Sequence, residues 1–133
     1  MLAPRRIAVA SLADKEHARR EARQLARAQG MDGADVEAVG LAVMELTANL
    51  LRYAESGAIV LTALRDGRGV GIQVETSDAG PGIADVGLAM DDGYSTGGGL
   101  GGGLPAVRRL MDEIEVATGP AGTTVVARKW SRG

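Results

Sequence analysis

The tightest constraint on this chain is a pair of apolar stretches joined by almost nothing. "AIVLTALR", Ala58 to Arg65, and "VGIQVETSD", Val70 to Asp78, are separated only by "DGRG". A connection that short closes an antiparallel hairpin, because a parallel crossover needs roughly a dozen residues or more. A second pair, Ile114 to Ala117 and Thr123 to Trp130, turns at Gly119 to Gly122 in the same way, and "RRIAVA", Arg5 to Ala10, predicts a short opening strand. Strands that arrive mainly as hairpins, with helical stretches collected between them, predict an α+β two-layer sandwich: helices on one face of a mixed, mostly antiparallel sheet. With 133 residues, the chain suits a single domain over 1–133.

The helical stretches differ in character. "KEHARREARQLARAQG" is rich in helix formers, ends at Gly30 as a natural C-cap, and carries Lys15, Arg19, Arg20, Arg23 and Arg27. That basic set reads as a solvated face, and a docking surface for an acidic partner is the rival reading. A second helix is predicted from Ala34 or Asp35 through Tyr53, with Val36, Val39, Val43, Leu46 and Leu50 forming a buried stripe. A short helical piece follows at "ADVGLAM", and "LPAVRRLMDE" begins a last helix with Pro105 in its first turn, where no amide donor is needed.

Composition removes several functions. A formal net charge of −2 and an aromatic fraction of 2% leave neither a basic footprint nor stacking platforms for nucleic acid. The absence of cysteine excludes disulfides, thiolate zinc sites and a cysteine nucleophile. Nowhere do eighteen consecutive apolar residues occur, and the N-terminus lacks the apolar run of a signal peptide. The expectation is a soluble cytoplasmic protein with no membrane contact.

Six glycines fall in the seven positions from Gly97 to Gly103, immediately before the last predicted helix. Glycine costs about 0.5–1 kcal/mol against alanine in a helix or strand interior, so packing gives no reason to collect it. A linker does not fit either, since only the last helix and the closing hairpin of the same sheet follow. Bare amides leading into a helix N-terminus suit a polyphosphate. No "GK[ST]" follows the glycines and no Lys or Arg occurs from Val86 through Val107, so this is not a Walker loop. Phosphate charge must then be met by amides and a metal ion, which implies magnesium.

Glu45 and Asn49, four apart, share a face of the second helix. Such a pair is most often two surface neighbours, but Asn49 can offer an amide oxygen to a metal and Glu45 can take a proton from an attacking hydroxyl. Asp78 stands at a strand end before "GPG", where an aspartate commonly serves a turn; a carboxylate there can instead accept from the exocyclic amine of a purine.

In order and spacing, "ELTANLLRYA", "DAGPGI", the glycine-rich stretch through "GGGLGGGLPAVRRLMDE" and "GTTVVARKW" resemble the N, G1, G2 and G3 boxes of the GHKL (Bergerat-fold) ATPases. Within that superfamily the chain is similar to the small anti-sigma-type serine/threonine kinases, and most of all to the switch kinases of stressosomes. The resemblance implies ATP and magnesium as cofactors, Asn49 as magnesium ligand and Glu45 as general base. It implies Asp78 on the adenine amine, with Gly80 and Gly82 shaping the pocket beneath the base. Gly99, Gly101 and Gly103 would wrap the phosphates, and Thr123 would lie near adenine, acting through water. Ala79 departs from a position that is often polar in these kinases, and Gly97 and Gly102 are extra glycines. The implied activity is phosphorylation of a STAS-domain antagonist or scaffold protein in a stressosome-like, partner-switching stress pathway, with a PP2C-type phosphatase as a further candidate partner. Two other outputs fit the same boxes: an anti-sigma factor kinase, and a non-catalytic, nucleotide-gated binding module. The lid is expected to be open or poorly ordered without ATP and magnesium.

Overall fold

The computed structural model describes residues 3–53, 57–67, 69–78, 103–120 and 122–131. Their elements run β1 (Arg5–Val9), α1 (Leu12–Ala28), α2 (Gly33–Tyr53), β2 (Gly57–Asp66), β3 (Gly69–Ser77), α3 (Gly103–Leu110), β4 (Glu113–Gly119) and β5 (Gly122–Ser131). The sheet order is β1-β2-β3-β5-β4, and every pairing among the described residues is antiparallel. Both predicted hairpins form. The step that hairpins alone do not dictate is β3 against β5, which sets Ser77 opposite Thr124 and so brings the end of β3 to the start of β5.

Local chemistry fixes the helix ends. Ser11 caps α1 by accepting from the Asp14 amide at 3.2 Å, while the Asp14 carboxylate accepts from the Ala10 amide at 2.9 Å. At the other end the Met31 amide bonds to the Ala26 carbonyl and the Gly30 amide to the Arg27 carbonyl. That double closure needs a left-handed residue, and Gly30 supplies it at φ 81°. The helix itself therefore stops at Ala28, two residues before the expected glycine. The last helix also ends sooner than the "LPAVRRLMDE" reading, at Leu110, because Asp112 joins the sheet: its amide bonds to the Arg128 carbonyl and its carboxylate accepts from the Trp130 amide. The predicted "ADVGLAM" helix lies outside the described residues.

All five stripe residues of α2, Val36, Val39, Val43, Leu46 and Leu50, are buried between the sheet and the neighbouring helices. They meet Ile59, Leu61, Ile72 and Val74 from the sheet, Ala18, Ala22 and Leu25 from α1, and Leu104 and Val107 from α3. Gly40 explains how α1 comes close: a Cβ there would stand 3.0 Å from Cδ and 3.2 Å from Cγ of Arg23. The basic helix is thus only partly a solvated face. The Arg19 and Arg23 stems lie across α2, and their guanidinium groups reach Glu16 and Glu37. His17 is exposed.

Candidate active site

The site begins where two strand ends meet. Just past β3, the Asp78 amide donates to the Thr123 carbonyl at 3.1 Å, and the Thr123 amide donates to Asp78 Oδ1 at 3.3 Å. This reciprocal clamp between Asp78 and the Thr123 backbone holds a carboxylate at the rim of the sheet. Thr123 is buried, and its hydroxyl lies 2.8 Å from that of Thr118, its register partner on β4.

The second half is built by helices. Gly103 opens α3 against Asn49: a Cβ on it would stand 3.0 Å from Oδ1 and 3.1 Å from Nδ2 of the Asn49 amide. Only a residue without a side chain lets the first amides of α3 come so close to Asn49, and those amides and the helix dipole favour an anion there. Glu45 lies one turn earlier on the same face of α2, half-buried like Asn49. Between them Thr47 is fully buried and uses its hydroxyl within the helix, donating to the Val43 carbonyl at 2.7 Å. Glu45 and Asn49 have no such internal commitment among the described residues.

Gly57 couples the two halves. A Cβ at this first residue of β2 would meet the Ser77 carbonyl at 2.5 Å, Leu50 Cδ2 at 2.8 Å and Asp78 Cβ at 3.4 Å. The residue after Asn49 and the Asp78 clamp therefore share one contact point, so the helix and strand halves of the site cannot shift independently.

The predicted residues thus fall into two adjoining groups, Glu45 with Asn49 and Gly103, and Asp78 with Thr123. Gly80, Gly82, Gly99 and Gly101, and with them the expected state of the lid, lie outside the described residues. Sequence reasoning missed Gly57 and Thr118. The symmetric "TGPAGT" turn, Thr118 to Thr123, pairs its two threonines in register and was the available signal for Thr118. Gly57, a lone glycine at a strand start, gave no signal of its own.

Magnesium fits this arrangement. Asn49 has a hard amide oxygen with no partner among the described residues, beside a space that any side chain at position 103 would fill. Among those residues no group of three or more His, Cys, Asp or Glu is placed to hold a metal, so this is not an all-protein cage; magnesium commonly takes one or two protein ligands and leaves the rest to water and phosphate.

The Histidine kinase-like ATPase domain family model matches residues 8–129. Over 116 residues the chain is 40% identical to the serine/threonine-protein kinase RsbT of Bacillus subtilis (strain 168), an alignment that covers 86% of this chain and 87% of RsbT. Among solved structures, the RsbU and RsbW domains of Rv1364c from Mycobacterium tuberculosis superpose with a TM-score of 0.65 at 20% identity, covering 98% of this chain. The chain spans 34% of that longer protein. The SiaB–SiaC complex from Pseudomonas aeruginosa gives a TM-score of 0.61 at 14% identity, covering 96% of this chain and 89% of the other. At those identities the two structures establish the fold, while the family match and the RsbT alignment reach further: the chain belongs to the histidine kinase-like ATPase domain family and, within it, to the serine/threonine-protein kinases.

Proposed function

We propose that this kinase moves the γ-phosphoryl group of Mg-ATP onto a serine or threonine hydroxyl of a STAS-domain antagonist or scaffold protein, in a cytoplasmic partner-switching pathway. The observation that carries the reading is the pair of uncommitted polar groups on one face of α2, Glu45 and Asn49, set against the start of α3 at Gly103. Asp78, clamped to Thr123, suits the other end of the nucleotide by accepting from the adenine amine. Gly80 and Gly82 would floor the base, and Gly99 and Gly101 would join Gly103 around the phosphates.

Phosphoryl transfer asks an enzyme mainly for alignment and charge stabilisation. The acceptor oxygen bonds to the γ-phosphorus, the bond to the β–γ bridging oxygen breaks, the hydroxyl proton passes to the Glu45 carboxylate and ADP departs. Asn49 would hold magnesium, whose charge offsets that of the phosphates when it is bound. The first amides of α3 would receive phosphate oxygens in place of the lysine that a Walker loop uses.

The similarity to the serine/threonine-protein kinase RsbT supports phosphorylation of a protein; the stress-pathway setting and a PP2C-type phosphatase as further partner belong to the proposal. Among the described residues no helix is long and apolar enough to cross a membrane. Incubation with labelled ATP, magnesium and candidate STAS-domain proteins tests the proposal. Label on a serine or threonine of one of them is expected; ATP binding with no label on any of them would replace the kinase reading of the pathway with a nucleotide-gated binding module, and stable capture of a sigma factor would favour an anti-sigma kinase.

A further inference from the structure

The Thr118–Thr123 hydroxyl pair ties β4 to β5 beside Asp78, and it also bears on what Thr123 can present. The two residues face each other on the last full rung before the turn, with Gly119 and Gly122 as the next pair, and their Oγ1 atoms are 2.8 Å apart. A hydroxyl pair shares one proton and leaves the other to be directed elsewhere. Which threonine donates decides what Thr123 presents beyond the pair. If Thr123 donates to Thr118, it offers only lone pairs; if Thr118 donates, the Thr123 proton is turned away from β4. Asp78 settles the balance: its Oδ1 accepts from the Thr123 amide while its own amide donates to the Thr123 carbonyl, and the negative charge so held attracts a proton and repels a lone pair.

We infer that Thr118 is a positioning residue for base selection: it donates to Thr123 and thereby fixes the Thr123 hydroxyl as a donor next to the Asp78 acceptor. This rests on the proposal that Asp78 and Thr123 flank the nucleotide base. An acceptor and a donor side by side match the exocyclic amine and the ring N1 of adenine, with or without an intervening water. Guanine reverses both, with a carbonyl oxygen and an N1–H. A Thr123 hydroxyl without Thr118 is free to rotate and present its lone pairs, so adenine loses its advantage. Both threonines are β-branched on a strand, which limits χ1 and leaves hydroxyl rotation as the remaining freedom that Thr118 removes.

The test is calorimetric titration of folded wild-type protein and the near-isosteric T118V variant with ATP and with GTP, in magnesium, with T118S as the hydroxyl-restoring control. The loss of one neutral hydrogen bond's directing effect predicts ATP affinity about fivefold weaker in T118V, GTP affinity unchanged or improved, and the ATP/GTP ratio largely restored in T118S. T118A takes the place of T118V if the valine does not fold. An ATP/GTP ratio within about twofold of wild type, or equal weakening of both nucleotides, overturns the inference and leaves Thr118 a structural residue. Failure of the wild-type protein to bind either nucleotide overturns the underlying site assignment instead, and is read in the wild-type arm alone.

Discussion

The two ends of α2 carry similar polar chemistry and treat it in opposite ways. Near the N-terminus, Asp35 accepts from the Ser131 hydroxyl and faces Lys129 Nζ at 3.9 Å; Lys129 in turn lies 3.6 Å from Asp112, and the Ser131 hydroxyl also accepts from the Asp32 amide at 3.2 Å. Every group there is answered by another part of the fold, and the cluster ties the last strand to the first turn of the helix. About 15 to 21 Å further along the same helix, at ~1.5 Å per residue, Glu45 and Asn49 are half-buried and answered by nothing among the described residues. Buried polar groups are normally hydrogen-bonded, and half-buried ones can also be met by water or a ligand. In the proposed function, the pair left open beside a glycine that makes room is where the nucleotide and its metal would complete the structure, whereas the closed cluster completes itself.

Substitutions at the two ends should therefore separate binding from stability. The largest expected effect on nucleotide binding is at the strand half of the site: Asp78→Asn exchanges a charged acceptor for an amide and should weaken ATP binding about 10- to 100-fold, as loss of a charge-assisted hydrogen bond implies. Unchanged affinity in a titration would remove Asp78 from the base. Next is Gly103→Ala, whose Cβ would enter the space 3.0 Å from Asn49 Oδ1. A shift of a few tenths of an ångström at a ligand-holding group should lower magnesium-dependent nucleotide affinity roughly tenfold with a thermal midpoint close to wild type. If affinity holds and only stability falls, the Asn49–Gly103 contact is packing and the contrast between the two ends dissolves. The smallest functional effect belongs to the closed end. Asp35→Ala removes the acceptor of Ser131 and one carboxylate beside Lys129, and should cost about 1–2 kcal/mol of stability in a denaturant titration while nucleotide affinity and transfer stay unchanged. A loss of activity there, with the fold intact, would mean that the two ends are coupled through the helix.

Much of the frame was legible because it follows from short-range rules. The "DGRG" and "TGPAGT" turns dictated their hairpins, and the apolar spacing from Val36 to Leu50 dictated the buried face of α2. What was not legible depends on contacts between distant segments. Gly40 reads as a local cost to helix α2, about 1 kcal/mol against alanine, and is understood only once the Arg23 stem is seen lying on it. The same holds for Gly71, where a Cβ would run into the Lys129 carbonyl and stand 3.0 Å from the Trp130 ring. The pairing of β3 with β5 decides that Asp78 meets Thr123, yet no local pattern in either strand names the other as its neighbour. For the site, the resemblance named the residues and the structure brought five of them into two adjoining groups; Gly80, Gly82, Gly99 and Gly101 lie outside the described residues.

The central claim is that Glu45 acts on the acceptor proton and takes no part in holding the nucleotide. Glu45→Ala, compared with wild type for ATP affinity and for single-turnover transfer to a STAS-domain acceptor, tests it most directly. The account predicts ATP affinity within about twofold of wild type and transfer slowed by roughly 10²-fold or more, the range expected for loss of a general base. Transfer at the wild-type rate by this variant would contradict it.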